Sequence, residues 1–160
     1  MKTIEINDLK IIEETLNNCD VCFVGMVDPQ NQAYTLPMNF GYANGFFFLH
    51  SGQEGKHISC IEHNPQVCLS FCPQRKLAYQ NREVACSYTM KSRSVLAFCE
   101  VSFVEHPEEK IKAMNILMSH YTNETFNYSQ PAINNVKVWK AKIKKMTCKE
   151  FGVPYKDTLS

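Results

Sequence analysis

Three apolar stretches lie almost back to back between Val21 and His50, and the breaks between them leave room only for tight turns. Val21 to Val27 is apolar and β-branched, and it ends on the turn signal Asp28-Pro29-Gln30-Asn31. Gln32 to Phe40 reads as a second strand, Tyr42-Ala43-Asn44-Gly45 as a hairpin, and Phe46 to His50 as the returning strand. Asn-Gly tolerates the positive φ that tight primed turns require. Strands linked this closely must pair antiparallel, since a parallel pair needs a crossover of about a dozen residues.

The flanking segments add helices and further strands. Asp8 is placed to cap a first helix that carries Leu9, Ile12 and Leu16 on one face and ends at Asn17-Asn18. Lys56 to His63 reads as a short helix stopped by Pro65. Val67, Leu69 and Phe71 then alternate with Cys68, Ser70 and Cys72, the pattern of a half-buried strand. Pro73 to Arg82 is expected to be an exposed loop, Val84 to Met90 a strand, and Ser94 to Val104 a long strand. Pro107-Glu108-Glu109 opens a helix with proline and acids in its first turn, and Ile111, Met114, Leu117, Met118 and Tyr121 form its buried stripe. Thr122 to Asn135 is loop-like, and Val136 to Met146 is the last strand. Six or seven antiparallel strands with about three short helices make an α+β chain, and a sheet of that size curls into a barrel.

The 160 residues suit one ordinary domain, 1–160, with one core. Runs such as Gly45 to Leu49 fall far below the ~18 apolar residues of a membrane span. The acidic N-terminus lacks an apolar secretory region, which predicts a cytoplasmic protein whose eight cysteines are thiols rather than four disulfides. Lys+Arg 17 against Asp+Glu 16 gives a net charge of +1, so bulk charge calls for neither nucleic acid nor anionic lipid.

Four segments could carry chemistry. Cys19-Asp20-Val21-Cys22 has redox-pair spacing but opens a strand, where no helix dipole lowers a thiol pKa. A second pair or spaced histidines would be wanted for zinc, so no metal site is expected. Lys140, Lys142 and Lys144 alternate with Trp139, Ala141 and Ile143, which reads as the solvated side of an edge strand. Pro37 inside a strand pattern marks an edge, a bulge or a ligand-facing segment. His50-Ser51-Gly52-Gln53-Glu54-Gly55-Lys56-His57 joins a strand end to a helix start through glycines, with a hydroxyl and a cation at hand. Free N–H groups at such a helix start suit a phosphate dianion, although the P-loop spacing is absent. An ordinary capped turn is the competing reading.

These segments also occur in a familiar order. Pro37-Met38-Asn39-Phe40, Asn44-Gly45, Phe46-Phe47-Phe48, His50, Gly55-Lys56, Ile61, Asn64-Pro65, Cys68, Ser94-Val95, Phe98 and Glu105 follow one another. The run, about residues 9 to 150, resembles the pyridoxamine 5′-phosphate oxidase-like flavin-binding proteins, most closely their nitroimidazole-resistance branch. The resemblance implies a split β-barrel that forms a homodimer, with FMN at the subunit interface. It implies that the backbone of Pro37, Met38 and Asn39 runs along the flavin ring. By the same resemblance His50, Ser51, Lys56 and His57 serve the phosphate and ribityl chain, Ser92, Arg93 and Ser94 add phosphate contacts, and Trp139 neighbours the ring. NAD(P)H would be the electron donor and a small oxidant such as a nitroaromatic the acceptor. No acid–base catalyst is required, and His50 is the first candidate for one.

Two positions depart from the pattern: Cys99 and Cys148 stand where many relatives have glycine, a residue that permits close backbone approach. The vitamin B6 substrate signature is absent, so a true pyridoxamine phosphate oxidase is not expected. The alternatives are a non-enzymatic flavin- or haem-binding split barrel and a zinc or thiol protein built on Cys19 and Cys22.

Overall fold

A computed structural model describes residues 2–73 and 75–153. In chain order the elements are β1 (Lys2–Ile6), α1 (Leu9–Asn17), β2 (Cys22–Val27), β3 (Ala33–Met38), β4 (Gly41–Ala43), β5 (Phe46–Ser51), α2 (Lys56–His63), β6 (Gln66–Phe71), β7 (Lys76–Tyr79), a 3-10 turn (Ala85–Ser87), β8 (Tyr88–Val104), α3 (Pro107–Ser119), α4 (Gln130–Asn134) and β9 (Lys137–Val153). They fall into two compact units. Among the described residues, one is drawn from the stretches 2–19, 71–96 and 146–153, the other from Asp20–Ser70 and Ala97–Lys145.

In the first unit Asp8 caps α1 by accepting the Lys10 N–H at 2.9 Å, as its residue type predicts. Ile12 and Leu16 are buried, whereas Leu9 stays 54% exposed. β1 pairs with the end of β9, Ile6 opposite Cys148. β7 pairs with the start of β8, Leu77 opposite Met90 and Tyr79 opposite Tyr88.

The second unit holds the antiparallel β2–β3 pair, in register from Cys22↔Met38 to Val27↔Ala33. The strand order is β3-β2-β6-β8-β9-β5-β4, so β3 and β4 end the path and the sheet is not closed. Val24, Phe40, Phe47, Leu49, Leu69 and Trp139 fill its core. The hairpin between β4 and β5 turns on Asn44 and Gly45 with φ of 52° and 79°, the two positive values a primed turn needs. α3 rests directly on β4, because a Cβ on Gly41 would lie 2.5 Å from the Leu117 Cα.

The α+β, antiparallel architecture agrees with the sequence. The described residues nonetheless hold nine strands and four α-helices, more than the six or seven and three expected. β7 stands where an exposed loop was expected: four residues are too few to show a period, and pairing with β8 decides the conformation. The expected strand Val84 to Met90 is a 3-10 turn followed by the start of β8. α4 lies inside the expected loop, capped by Ser129, which accepts the Ala132 N–H. The α3 stripe is rotated. Lys110, Ala113 and Leu117 are buried and Tyr121 lies past the helix end. Lys110 survives burial because its Nζ donates to the Val136 and Ile133 carbonyls at 2.8 and 3.4 Å.

β9 is not an edge strand: it lies between β8 and β5. Its lysines are met locally, Lys144 by Glu100 at 2.6 Å, Lys137 by Glu105 at 3.4 Å, and Lys140 by the Phe46 ring. No helix among the described residues is long and apolar enough to cross a membrane.

Gly41→Ala should cost about 1–3 kcal/mol, because the added methyl overpacks against α3 backbone that cannot move aside independently. Urea denaturation would show the midpoint fall, and an unchanged midpoint would mean that α3 is not seated on β4.

Candidate functional site

The turn from β5 into α2 places a cluster of polar groups at a helix N-terminus. Gly55 is the N-cap, with φ of 133°, a conformation that side-chain-bearing residues rarely adopt. A Cβ there would also meet the His57 ring at 2.8 Å. Glycine has no side chain to cap with, and no side-chain hydrogen bond caps α2. The Lys56 and His57 N–H groups therefore have no helical acceptor, at the positive end of the helix dipole.

Ser51 and Trp139 brace this turn. The indole N–H of Trp139 donates to Ser51 Oγ at 3.1 Å, and that hydroxyl donates to the Gly52 carbonyl at 2.8 Å. The His57 ring stacks on Trp139 at 5.8 Å with 25° between planes. His57 Nε2 is buried with no hydrogen-bond partner. Such an orphan is costly unless something outside the chain satisfies it. Trp139 itself is wholly buried, with Phe103 edge-on to it, so it acts on this turn from the core side through Ser51 and His57.

Lys56 is not a free cation. Its Nζ lies 2.9 Å from Asp28 Oδ2 and 5.1 Å from the Tyr34 ring centre. Asp28 stands at the end of β2, its side chain only 4% exposed, and also accepts the Gln30 and Gln32 N–H groups at 3.0 and 2.8 Å. The hydrogen bond from Lys56, and then that from Gln32, hold the Asp28 carboxyl below its ordinary pKa, while Asp28 raises that of Lys56. The Lys56 side chain stays half exposed.

The remaining expected residues distribute as follows. His50 is exposed at the end of β5, opposite Val138, yet the protein crowds its ring enough that desolvation lowers its pKa and keeps it neutral at pH 7. Neutral imidazole can donate one hydrogen bond to an anion but brings no charge. Pro37 lies opposite Phe23 on the end strand β3, where its missing N–H breaks no ladder on the open side. Pro37 and Asn39 are exposed and Met38 is buried. Lys56 reaches this same strand at Tyr34.

Ser92, Arg93 and Ser94 lie on β8 in the first unit. There the Arg93 guanidinium meets Glu150 at 3.3 Å, Thr15 at 3.3 Å and Glu14 at 3.9 Å, so its charge is already balanced. Its Nε is buried without a partner.

Cys19, Cys22, Cys60, Cys99 and Cys148 are buried and act as small core groups, Cys68 is half-buried, and Cys72 and Cys86 are exposed. The Cys19 thiol donates to the Thr15 carbonyl and the Cys22 thiol to the Met38 carbonyl. Cys99 is buried on β8, where desolvation and then Cys68 push its thiol up to about 12. Cys148 is buried on β9. Neither Cys99 nor Cys148 has a positive φ, so the backbone does not use a glycine's freedom at either site. No group of three or more His, Cys, Asp or Glu among the described residues is placed to hold a metal ion.

Comparison with known proteins gives this geometry a context. The family model described as pyridoxamine 5′-phosphate oxidase matches residues 8–150. The chain belongs to the pyridoxamine 5′-phosphate oxidase family. Within its range of structures, a candidate 5-nitroimidazole antibiotic resistance protein from Bacteroides thetaiotaomicron VPI-5482 is 46% identical, with 93% of this chain and 87% of that one covered and a TM-score of 0.86. An FAD- and haem-binding protein from Mycobacterium smegmatis shares the fold at 11% identity, over 97% of this chain and 76% of that one, with a TM-score of 0.82. A flavocytochrome from Azotobacter vinelandii does so at 16% identity, over 96% and 72%, with a TM-score of 0.81. The fold is thus that of the family's split barrel. None of the curated proteins compared matches the chain.

Asp28 was legible in the sequence only as a turn residue, and no spacing rule links it to Lys56. Because its pKa is depressed on folding, the stability it contributes is present above about pH 4 and lost as pH falls through its folded value. Asp28→Asn keeps an acceptor for the turn N–H groups but removes the charge. Urea midpoints of native protein should exceed those of the variant at neutral pH, with the gap closing below about pH 4. Parallel curves would contradict the pairing.

Proposed function

We propose that the protein is an FMN-dependent oxidoreductase, with the phosphate of the cofactor at the start of α2. The observation that carries this is the uncapped N-terminus of α2 beside the buried, unpartnered Nε2 of His57. Helix N–H groups without helical acceptors, and a ring nitrogen without a partner, fit the oxygens of a phosphate or the hydroxyls of a ribityl chain.

Ser51, held by Trp139, and the half-exposed side chain of Lys56 would complete that end of the site. Lys56 would bring a cation already paired with Asp28, so the helix N–H groups would carry more of the anion than the lysine does. His50 would contribute a neutral donor. The backbone of Pro37 to Asn39, on the end strand β3, would run along the ring, with Pro37 and Asn39 exposed.

When bound, the flavin supplies the redox chemistry, accepting a hydride from a reduced nicotinamide nucleotide and passing electrons to a small acceptor such as a nitroaromatic. The chain's own part is to hold the phosphate, fix the ring and leave one ring face accessible. The 46% identical Bacteroides protein supports a nitroimidazole as the first acceptor to try.

A homodimer is part of the proposal. On the outer face of the second unit's sheet, Phe23 of β2 is 48% exposed and Phe98 of β8 is 45% exposed, with the small Ser70 of β6 opposite Phe23. Exposed aromatics on a flat strand face suit burial against a second copy.

Protein loaded with FMN under anaerobic conditions should lose its visible flavin bands on addition of NADH or NADPH, and recover them when a nitroimidazole is added. Bound FMN that neither nucleotide reduces would contradict the enzymatic reading. A Soret band in purified protein would favour a haem-binding role instead.

A further inference from the structure

We propose that Tyr121 is a positioning residue that clamps the chain where the ring-facing Pro37–Asn39 backbone runs into Phe40; the inference rests on the flavin reading above. β3 is an end strand and stops at Met38, and β4 does not begin until Gly41. Asn39 and Phe40 belong to neither ladder.

Tyr121 replaces the missing ladder. Its hydroxyl accepts the Phe40 N–H at 3.0 Å and donates to the Asp20 carbonyl at 2.8 Å, using its one proton and a lone pair on two backbone groups. The Asp20 carbonyl takes a second donor, the Asn39 side-chain Nδ2, at 3.3 Å. A carbonyl can only accept, so this contact fixes which end of the Asn39 amide is the nitrogen and turns Oδ1 away from Asp20.

The clamp is itself anchored. Tyr121 follows directly on the α3 C-cap His120, and its N–H donates to the Met118 carbonyl at 2.9 Å. α3 cannot slide along the strand, because Leu117 and Ile116 backbone atoms occupy the space where a Gly41 side chain would be. Phe40 meanwhile packs on Phe47 and His120 and is wholly buried. Side-chain packing from below and one hydroxyl from α3 thus set the height and tilt of the Asn39–Phe40 peptide. A ring lying on that backbone would feel any change in either, as a shift in the hydrogen bonds and dipoles that tune its electronics. Nothing in the sequence joins residues 20, 39, 40 and 121. The helical spacing had placed Tyr121 in the buried stripe of α3, where its hydroxyl would have had no task.

The test is Tyr121→Phe, which keeps the ring and removes only the hydroxyl. FMN and riboflavin should both bind about three- to tenfold more weakly, by the same factor, because the phosphate contacts are untouched. The visible bands and midpoint potential of flavin bound at saturation should shift, a change that loss of stability alone does not produce. Amide exchange provides a second measure. The Phe40 N–H should exchange faster in the variant while β5 and the body of α3 keep their protection. Native protein that binds FMN, together with a variant of identical affinity, spectrum and potential, would overturn the clamp and leave the flavin reading standing. Native protein that binds no flavin would overturn both. If the variant proved too unstable to load, unchanged Phe40 exchange in its folded fraction would still overturn the clamp.

Discussion

The Asp28 carboxylate is almost entirely out of water, and the start of α2 is organised around the way that charge is met. Two turn N–H groups and the Lys56 ammonium surround it. A buried carboxylate without such partners would have to give up its charge. The pair therefore ties the β2–β3 turn to the first residue of α2, which fixes where the helix begins and where its unpaired N–H groups point. Removing Lys56 would strand Asp28, so that substitution disturbs the fold as well as any ligand.

The same pairing alters how an anion would be held. A glycine-rich turn with a lysine suggests a phosphate bound by point charge, but here that charge is already paired with Asp28. The dipole and N–H groups of α2, the orphaned His57 nitrogen and the Ser51 hydroxyl then carry more of the load. His50, neutral at pH 7, adds a donor rather than a cation. Arg93 is likewise balanced by Glu150 and Glu14. The distribution suits a ligand recognised by directed hydrogen bonds more than by strong electrostatic attraction.

Much of the fold was legible because its signals are local. Asp8 before an apolar face, Asn44-Gly45 between aromatic runs, and proline with two glutamates at the head of α3 all mean the same thing in any context. What escaped was set by partners far along the chain. β1 and β7 are short and exist through pairing with β9 and β8. β9 looked like an edge because its lysines alternate, yet Glu100, Glu105 and Phe46 satisfy those charges within a central strand. The same limit applies to the site. The Ser51–Gly55 turn and the head of α2 could be read directly, whereas Asp28 under Lys56, the stacking of His57 on Trp139 and the reach of Tyr121 to Phe40 are tertiary facts. Cys99 and Cys148, where many relatives have glycine, both sit in extended strand where a small thiol fills the core.

The central claim is that the head of α2 recognises the phosphate of a flavin, and side-by-side titration with FMN and riboflavin tests it most directly. The two ligands share the ring and ribityl chain and differ only in the phosphate. Followed by quenching of flavin fluorescence, FMN should bind at one per chain and at least about tenfold more tightly than riboflavin, the margin expected of charge-assisted hydrogen bonds to the phosphate. Equal affinity for the two, or no binding of either, would contradict the claim.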